Sequence, residues 1–162
     1  MRSRALEHRQ RHEDLAGYTR MTEEFGDEHA VGVVERFVGE VEHTLPDDAR
    51  IIKTIGDEVM VVSSDPAALV DWAVGFQELH DTRPLPRIGI HYGEVLYRDG
   101  DYYGREVNQA ARVSARAGGG EVLVTRSVVD AAGSHLAFEH IGDVRLKGFT
   151  GPTELFLARL GE

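Results

Sequence analysis

The chain has 162 residues, a net charge of −10 from 28 acids against 18 bases, and 41% hydrophobic residues. That size allows one domain and no second, and the composition excludes a disordered or low-complexity chain. An acidic surplus argues against nucleic acid or an anionic membrane as the main partner, and the lack of cysteine excludes disulfides and thiolate chemistry.

The first twelve residues, M-R-S-R-A-L-E-H-R-Q-R-H, are polar, with four arginines. They hold no secretory h-region and no expected buried strand. Residues 1–13 are accordingly expected to be a polar N-terminal segment, partly disordered or left over from a fusion junction, ahead of one domain over 14–162. No apolar run reaches the roughly 20 residues that cross a bilayer, so a cytoplasmic location is expected. Leu15 to Phe25 reads as irregular or short-helical. Ala30, Val34, Phe37, Val38, Val41 and Leu45 then recur at helical spacing, and Pro46 with Asp47-Asp48 ends that helix. R-I-I-K-T-I and E-V-M-V-V-S-S, joined by Gly56-Asp57, read as a β-hairpin. A second helix after Pro66 is expected to pack Leu69, Trp72, Ala73, Phe76 and Leu79 on one side. Residues 87–101 contain one or two strands broken near Gly93. Residues 104–117 form a third helix, closed by Gly118-Gly119-Gly120 as a C-cap and turn. A strand at 121–125, a short helix at 127–133 and two closing strands complete a mixed sheet with flanking helices.

Two sets of residues carry chemistry. Asp57 stands in a tight turn, where a carboxylate is ordinarily a turn former. It is also the kind of ligand that a hard cation takes beside substrate phosphates, and Asp14, before a glycine-containing loop, could be its companion. Asn108 and Arg112 are i and i+4 on the third helix. They could grip a ribose and a phosphate, although for this pair alone a solvated helix surface is the better account.

Taken together, D-L-A-G-Y-T at 14–19, K-T-I-G-D-E-V-M at 53–60, R-I-G-I-H-Y-G-E-V at 87–95, D-Y-Y-G-R-E-V-N-Q-A-A-R at 101–112 and L-K-G at 146–148 resemble the catalytic domain of class III nucleotidyl cyclases, adenylyl type. The resemblance covers nearly all of 14–160. It departs from the family at R-Q-R-H-E before Asp14, where His12 replaces the usual aromatic.

The resemblance implies an α+β fold, a ferredoxin-like βαββαβ mixed sheet with flanking helices. It implies conversion of ATP to 3′,5′-cyclic AMP and pyrophosphate, with two divalent ions, Mg²⁺ or Mn²⁺. Asp14 and Asp57 would hold the metals, with the Leu15 carbonyl at the first. Gly17, Tyr18 and Thr19 would meet the phosphates through their backbone, and Arg87 and Lys147 would bind the β- and γ-phosphates. Lys53 and Asp101 would select the base, and Asn108 and Arg112 would act in the transition state. It also implies a homodimer with composite sites. One subunit would give the metal aspartates and Arg87, and the other would give Lys53, Asp101, Asn108, Arg112 and Lys147. A guanylyl or promiscuous cyclase, or a cyclase-like domain that binds nucleotide without turnover, are the alternatives. The base argument rests on hydrogen-bond inventory. A donor-only lysine and an acceptor-only aspartate complement N1 and N6 of adenine, and both clash with guanine.

Overall fold

A computed structural model describes residues 3–10, 26–81, 85–133 and 135–161, the first of these as backbone only. Nine strands and four helices are described: β1 (Ser3–Gln10), α1 (Asp27–Thr44), β2 (Ala49–Ile55), β3 (Glu58–Ser63), α2 (Pro66–Glu78), β4 (Pro86–Gly93), β5 (Leu96–Arg98), β6 (Asp101–Tyr103), α3 (Arg105–Arg116), β7 (Val122–Thr125), α4 (Arg126–Ala131), β8 (Leu136–Val144) and β9 (Thr153–Leu160). Seven strands form one sheet in the order β2-β3-β1-β4-β7-β9-β8, and β5 with β6 forms a separate hairpin. The first four places, β2-β3-β1-β4, are all antiparallel pairings and give the expected βαββαβ core. The β4–β7 pair is parallel, with α3 as its crossover.

β1 corrects the sequence reading. The polar first residues form a strand paired on both sides, Leu6 opposite Val61 of β3 and opposite Ile90 of β4. A ladder is made of backbone groups, so a charged composition does not stop a strand from pairing between two apolar neighbours.

Alternation in β3 divides the core. Val59 and Val61 face one side, where Phe37 and Val41 of α1, Leu69, Ala73 and Phe76 of α2 and Val128 of α4 cover them. Met60 and Val62 face the other, beneath Tyr102 of β6 and Val107 of α3. Farther along that second face, Val113 and Ala117 meet Leu123, Leu146 and Leu155. Each large apolar side chain so buried contributes roughly 1.5–3 kcal/mol. Asp65 caps α2 by accepting from the Ala68 amide at 3.1 Å, with Pro66 opening the helix. Trp72 is anchored by its indole N–H on Thr44 Oγ1 at 2.8 Å, which ties α2 to α1.

One further expectation differs, and one holds. Leu79, placed by periodicity on the packed side, is the C-cap of α2 and 71% exposed. The helical face ends one residue before it. The 87–101 segment yields the two expected strands, β4 and β5, broken after Gly93, and the chain then turns into β6, which the sequence reading did not separate. Asp99 and Gly100, both at positive φ, make the two-residue turn between β5 and β6. Positive φ at both turn positions is what an Asp-Gly hairpin tip supplies. On β8, the register shifts between His140 and Gly142, a bulge in the last strand of the sheet.

Candidate functional site

α3 presents its buried residues, Ala110, Val113 and Ser114, to the sheet. Asn108 and Arg112 are consequently left exposed on the outer side, as i and i+4 neighbours. A cavity of about 880 Å³ opens there. Its walls include Asn108, Arg112 and Arg105 of α3, Lys147 and Phe149 of the turn after β8, and Glu58 at the start of β3. Three cations and an amide against one carboxylate make this a basic recess in a chain of net charge −10. Such a recess concentrates field lines and draws anions. Arg105 lies over the Phe149 ring at 5.2 Å, so the turn bearing Lys147 is held to the first turn of α3.

β6 leads from Asp101 to Gly104, which also lines the cavity. Lys53 of β2 donates from Nζ to Asp101 Oδ2 at 2.9 Å, and the Tyr102 amide donates to Asp101 Oδ1 at 2.7 Å. The Lys53 hydrogen bond, followed by that of the Tyr102 amide, holds the Asp101 carboxyl below its ordinary value of 3.8. The side chains remain 40% and 23% exposed. A donor and an acceptor thus stand side by side, open to a ligand. The bulge between Ile51 and Lys53 shifts the β2 register and sets Lys53 opposite Met60, on the face that carries β6 and α3.

The structure therefore gathers Asn108, Arg112 and Lys147 into one cavity and joins Lys53 to Asp101. Asp57 and Arg87 are not among the cavity's walls, although Asp57 is the chain neighbour of Glu58, which is. Asp57 is half-buried in the Gly56-Asp57 turn between β2 and β3. Arg87, 9% exposed, is on β4 opposite Arg9 of β1. Neither lines the cavity. Asp14, Leu15, Gly17, Tyr18 and Thr19 lie outside the described residues. Sequence reasoning missed Arg105, Glu58 and Phe149. Arg105 and Glu58 lie inside the quoted motifs, Arg105 three residues before Asn108 and Glu58 next to Asp57, and their charge at those places is the signal that could have found them.

The donor set suits the implied ions in kind. Its one described member, the half-buried turn aspartate Asp57, carries the hard carboxylate oxygens that Mg²⁺ and Mn²⁺ prefer. A second group, His140, Asp143 and Glu154, is close enough to share an ion. It lies on β8 and β9, and Arg126 already donates twice to Glu154, at 2.8 and 3.1 Å, lowering that carboxyl. This is an ion-pair network on the far strands of the sheet, not the cavity.

Comparison with known proteins follows the same lines. Residues 12–159 match the family described as the adenylate and guanylate cyclase catalytic domain. The pH-sensitive adenylate cyclase MT1302 of Mycobacterium tuberculosis (strain CDC 1551 / Oshkosh) is 36% identical over 156 residues, covering 91% of this chain. The chain spans 39% of that relative's length. Among solved structures, the adenylyl cyclase CyaB from P. aeruginosa superposes with a TM-score of 0.79 at 21% identity, over 99% of this chain and 95% of that one. The catalytic core of a rhodopsin-guanylyl cyclase with converted specificity, in complex with ATPalphaS, gives 0.85 at 16% identity, over 99% and 97%. At such identities the two structures speak for the fold.

Proposed function

The chain belongs to the adenylate and guanylate cyclase catalytic domain family, and from that premise we propose that it converts ATP to 3′,5′-cyclic AMP and pyrophosphate in sites shared across a homodimer. The observation that carries this reading is the basic cavity of Asn108, Arg112 and Lys147 beside the Lys53–Asp101 donor–acceptor pair.

The ribose 3′-hydroxyl attacks the α-phosphorus in line and expels pyrophosphate. Asp57, with Asp14, would hold two divalent ions, which when bound acidify that hydroxyl and neutralise the leaving phosphates. Lys147, and Arg87 from the other subunit, pair with the β- and γ-phosphates by charge. Negative charge gathers on the phosphate oxygens as the bond forms, and the Arg112 guanidinium is fixed on a helix to meet it. Asn108, one turn earlier on α3, orients the ribose, a task of positioning. Lys53 donates to N1 of adenine and Asp101 accepts from N6, whereas guanine would leave polar groups unpaired at about 1–3 kcal/mol each.

The division of residues supports the shared site. Asn108, Arg112 and Lys147 line one cavity, and Asp57 and Arg87 of the same chain are not among its walls. A two-fold dimer supplies them from the partner and creates two equal sites.

The test is direct. Purified protein is given ATP or GTP with Mn²⁺ or Mg²⁺, and cyclic nucleotide and pyrophosphate are measured together. Cyclic AMP is expected from ATP with little cyclic GMP from GTP, and no product from Asp57→Ala with an unchanged circular-dichroism spectrum. Preferential cyclisation of GTP overturns the base assignment. Full turnover by Asp57→Ala overturns the metal assignment.

A further inference from the structure

The motif R-I-G-I-H-Y-G gives Arg87 to the reading above and leaves His91 and its two glycines without a part. All three lie on the face of β4 against which α3 rests. A Cβ on Gly89 would meet the Ser114 nitrogen at 2.2 Å and the Ser114 Cα at 2.5 Å, and one on Gly93 would meet the Glu106 carboxylate at 2.5 Å. The glycines let the helix backbone settle onto the strand, and His91 stands between them, 7% exposed.

His91 Nε2 is hydrogen-bonded to Glu106 Oε2 in the first turn of α3. Its Nδ1 is 2.7 Å from Thr125 Oγ1, which is 3.2 Å from Ser127 Oγ, which donates to the Tyr92 carbonyl at 2.9 Å. A proton count fixes the direction of this chain. The Ser127 proton is on the Tyr92 carbonyl, so the Thr125 proton goes to Ser127 and Nδ1–H goes to Thr125. One proton then lies between Nε2 and the Glu106 carboxylate, a charge-assisted contact.

Among the described residues, the buried side chains of α3 that meet the sheet are the apolar Ala110 and Val113 and Ser114, whose hydroxyl finds no partner there. Apolar contact is non-directional. It presses the helix onto the sheet and leaves its place along the axis to a directional bond. Arg112 is about 9 Å beyond Glu106 along that axis, at 1.5 Å per residue, so a displacement at Glu106 is carried to Asn108 and Arg112 alike.

We propose that His91 and Glu106 are positioning residues. Their pairing, anchored through Thr125 and Ser127, sets the axial place of α3 and with it the stance of Asn108 and Arg112 toward the ribose and α-phosphate. This rests on the reading of the cavity as the nucleotide site.

The experiment compares wild type with Glu106→Ala, Glu106→Gln and His91→Ala. It measures kcat and KM for cyclic AMP formation, the Kd of a non-cyclisable ATP analogue by calorimetry, and thermal unfolding. Groups that act only in the transition state lose about 100-fold for a 1 Å misplacement. Glu106→Ala should therefore lower kcat at least tenfold, on the order of that loss, while the analogue's Kd changes little. Glu106→Gln retains a neutral hydrogen bond to the ring and should recover part of kcat. If Glu106→Ala does not fold, Glu106→Gln carries the test, with kcat reduced and Kd kept. An unchanged kcat in a folded variant overturns the proposal, as does a Kd that weakens in step with kcat. A wild type that binds the analogue and forms no cyclic nucleotide instead overturns the cyclase reading, and the positioning role with it.

Discussion

Asp101 engages both carboxylate oxygens within its own chain, one with Lys53 and one with the Tyr102 amide. Each oxygen keeps a second lone pair and the ammonium keeps two further protons, so the pair can brace itself and still face a base. Replacing Lys53 by alanine removes the main cause of the depressed Asp101 carboxyl, which should rise toward 3.8. A carbon-13 titration of the aspartate carboxyls tests this, and an unmoved resonance would show that Lys53 does not hold it. The sign for stability follows from the depression. Whatever the pair contributes is complete above the ordinary carboxylate value and is lost as pH falls through the lower folded-state value. On an exposed surface that contribution is small. Selectivity is the stronger readout. Lys53→Glu combined with Asp101→Ala should lower the ratio of kcat/KM for ATP over GTP by about tenfold or more, since each unpaired polar group costs roughly 1–3 kcal/mol. A ratio that stays put sinks the base assignment.

The elements that could be read from the sequence are those whose burial repeats with a period. α1 and α2 announce themselves by apolar spacing, and the middle of β3 is Val59, Met60, Val61 and Val62, β-branched at all but Met60. β6 has three residues, too few for alternation to register, and only the Asp99-Gly100 pair betrays its hairpin. Leu79 fails for the opposite reason, because its spacing continues a pattern after the helix has stopped. α3 was legible as a helix. Its seat was not, since the contact is made by the absence of a side chain at Gly89. That contact also makes the sharpest mutational prediction at this scale. Gly89→Ala drives a methyl into the Ser114 backbone, which no rotamer can relieve. A loss of about 1–3 kcal/mol, typical of overpacking, should appear in urea unfolding together with a fall in kcat. Wild-type stability in that variant would mean that α3 does not rest on β4 there. The cavity was legible by motif at Asn108, Arg112 and Lys147, whereas Phe149 enters it through tertiary folding that brings residues 147–150 to α3.

For the whole molecule, the proposed division of Asp57 and Arg87 from Asn108, Arg112 and Lys147 between two subunits would make catalysis a question of assembly. Asp57→Ala and Arg112→Ala should each be inactive alone. When they are co-expressed in equal amounts, half the dimers are mixed, and each mixed dimer has one site with both defects and one with neither. Activity should return to roughly a quarter of wild type by two-fold symmetry. Mixed dimers confirmed by affinity tags that stay inactive would place catalysis within one subunit. The sheet carries a second consequence, one of timing. β1 lies between β3 and β4, and the chain between the end of β1 and the start of β4 is roughly 75 residues long. During synthesis at about 5–20 residues per second, the strand at the middle of the sheet waits roughly 4–15 seconds for its second neighbour. Ribosome-stalled chains ending before β4 should therefore be cut rapidly by protease at β1, and chains extended through β7 should resist. Equal protection at both lengths would mean that β1 is already secured by β3 alone. The strand least apolar in sequence is thus the one that waits longest for its full set of partners.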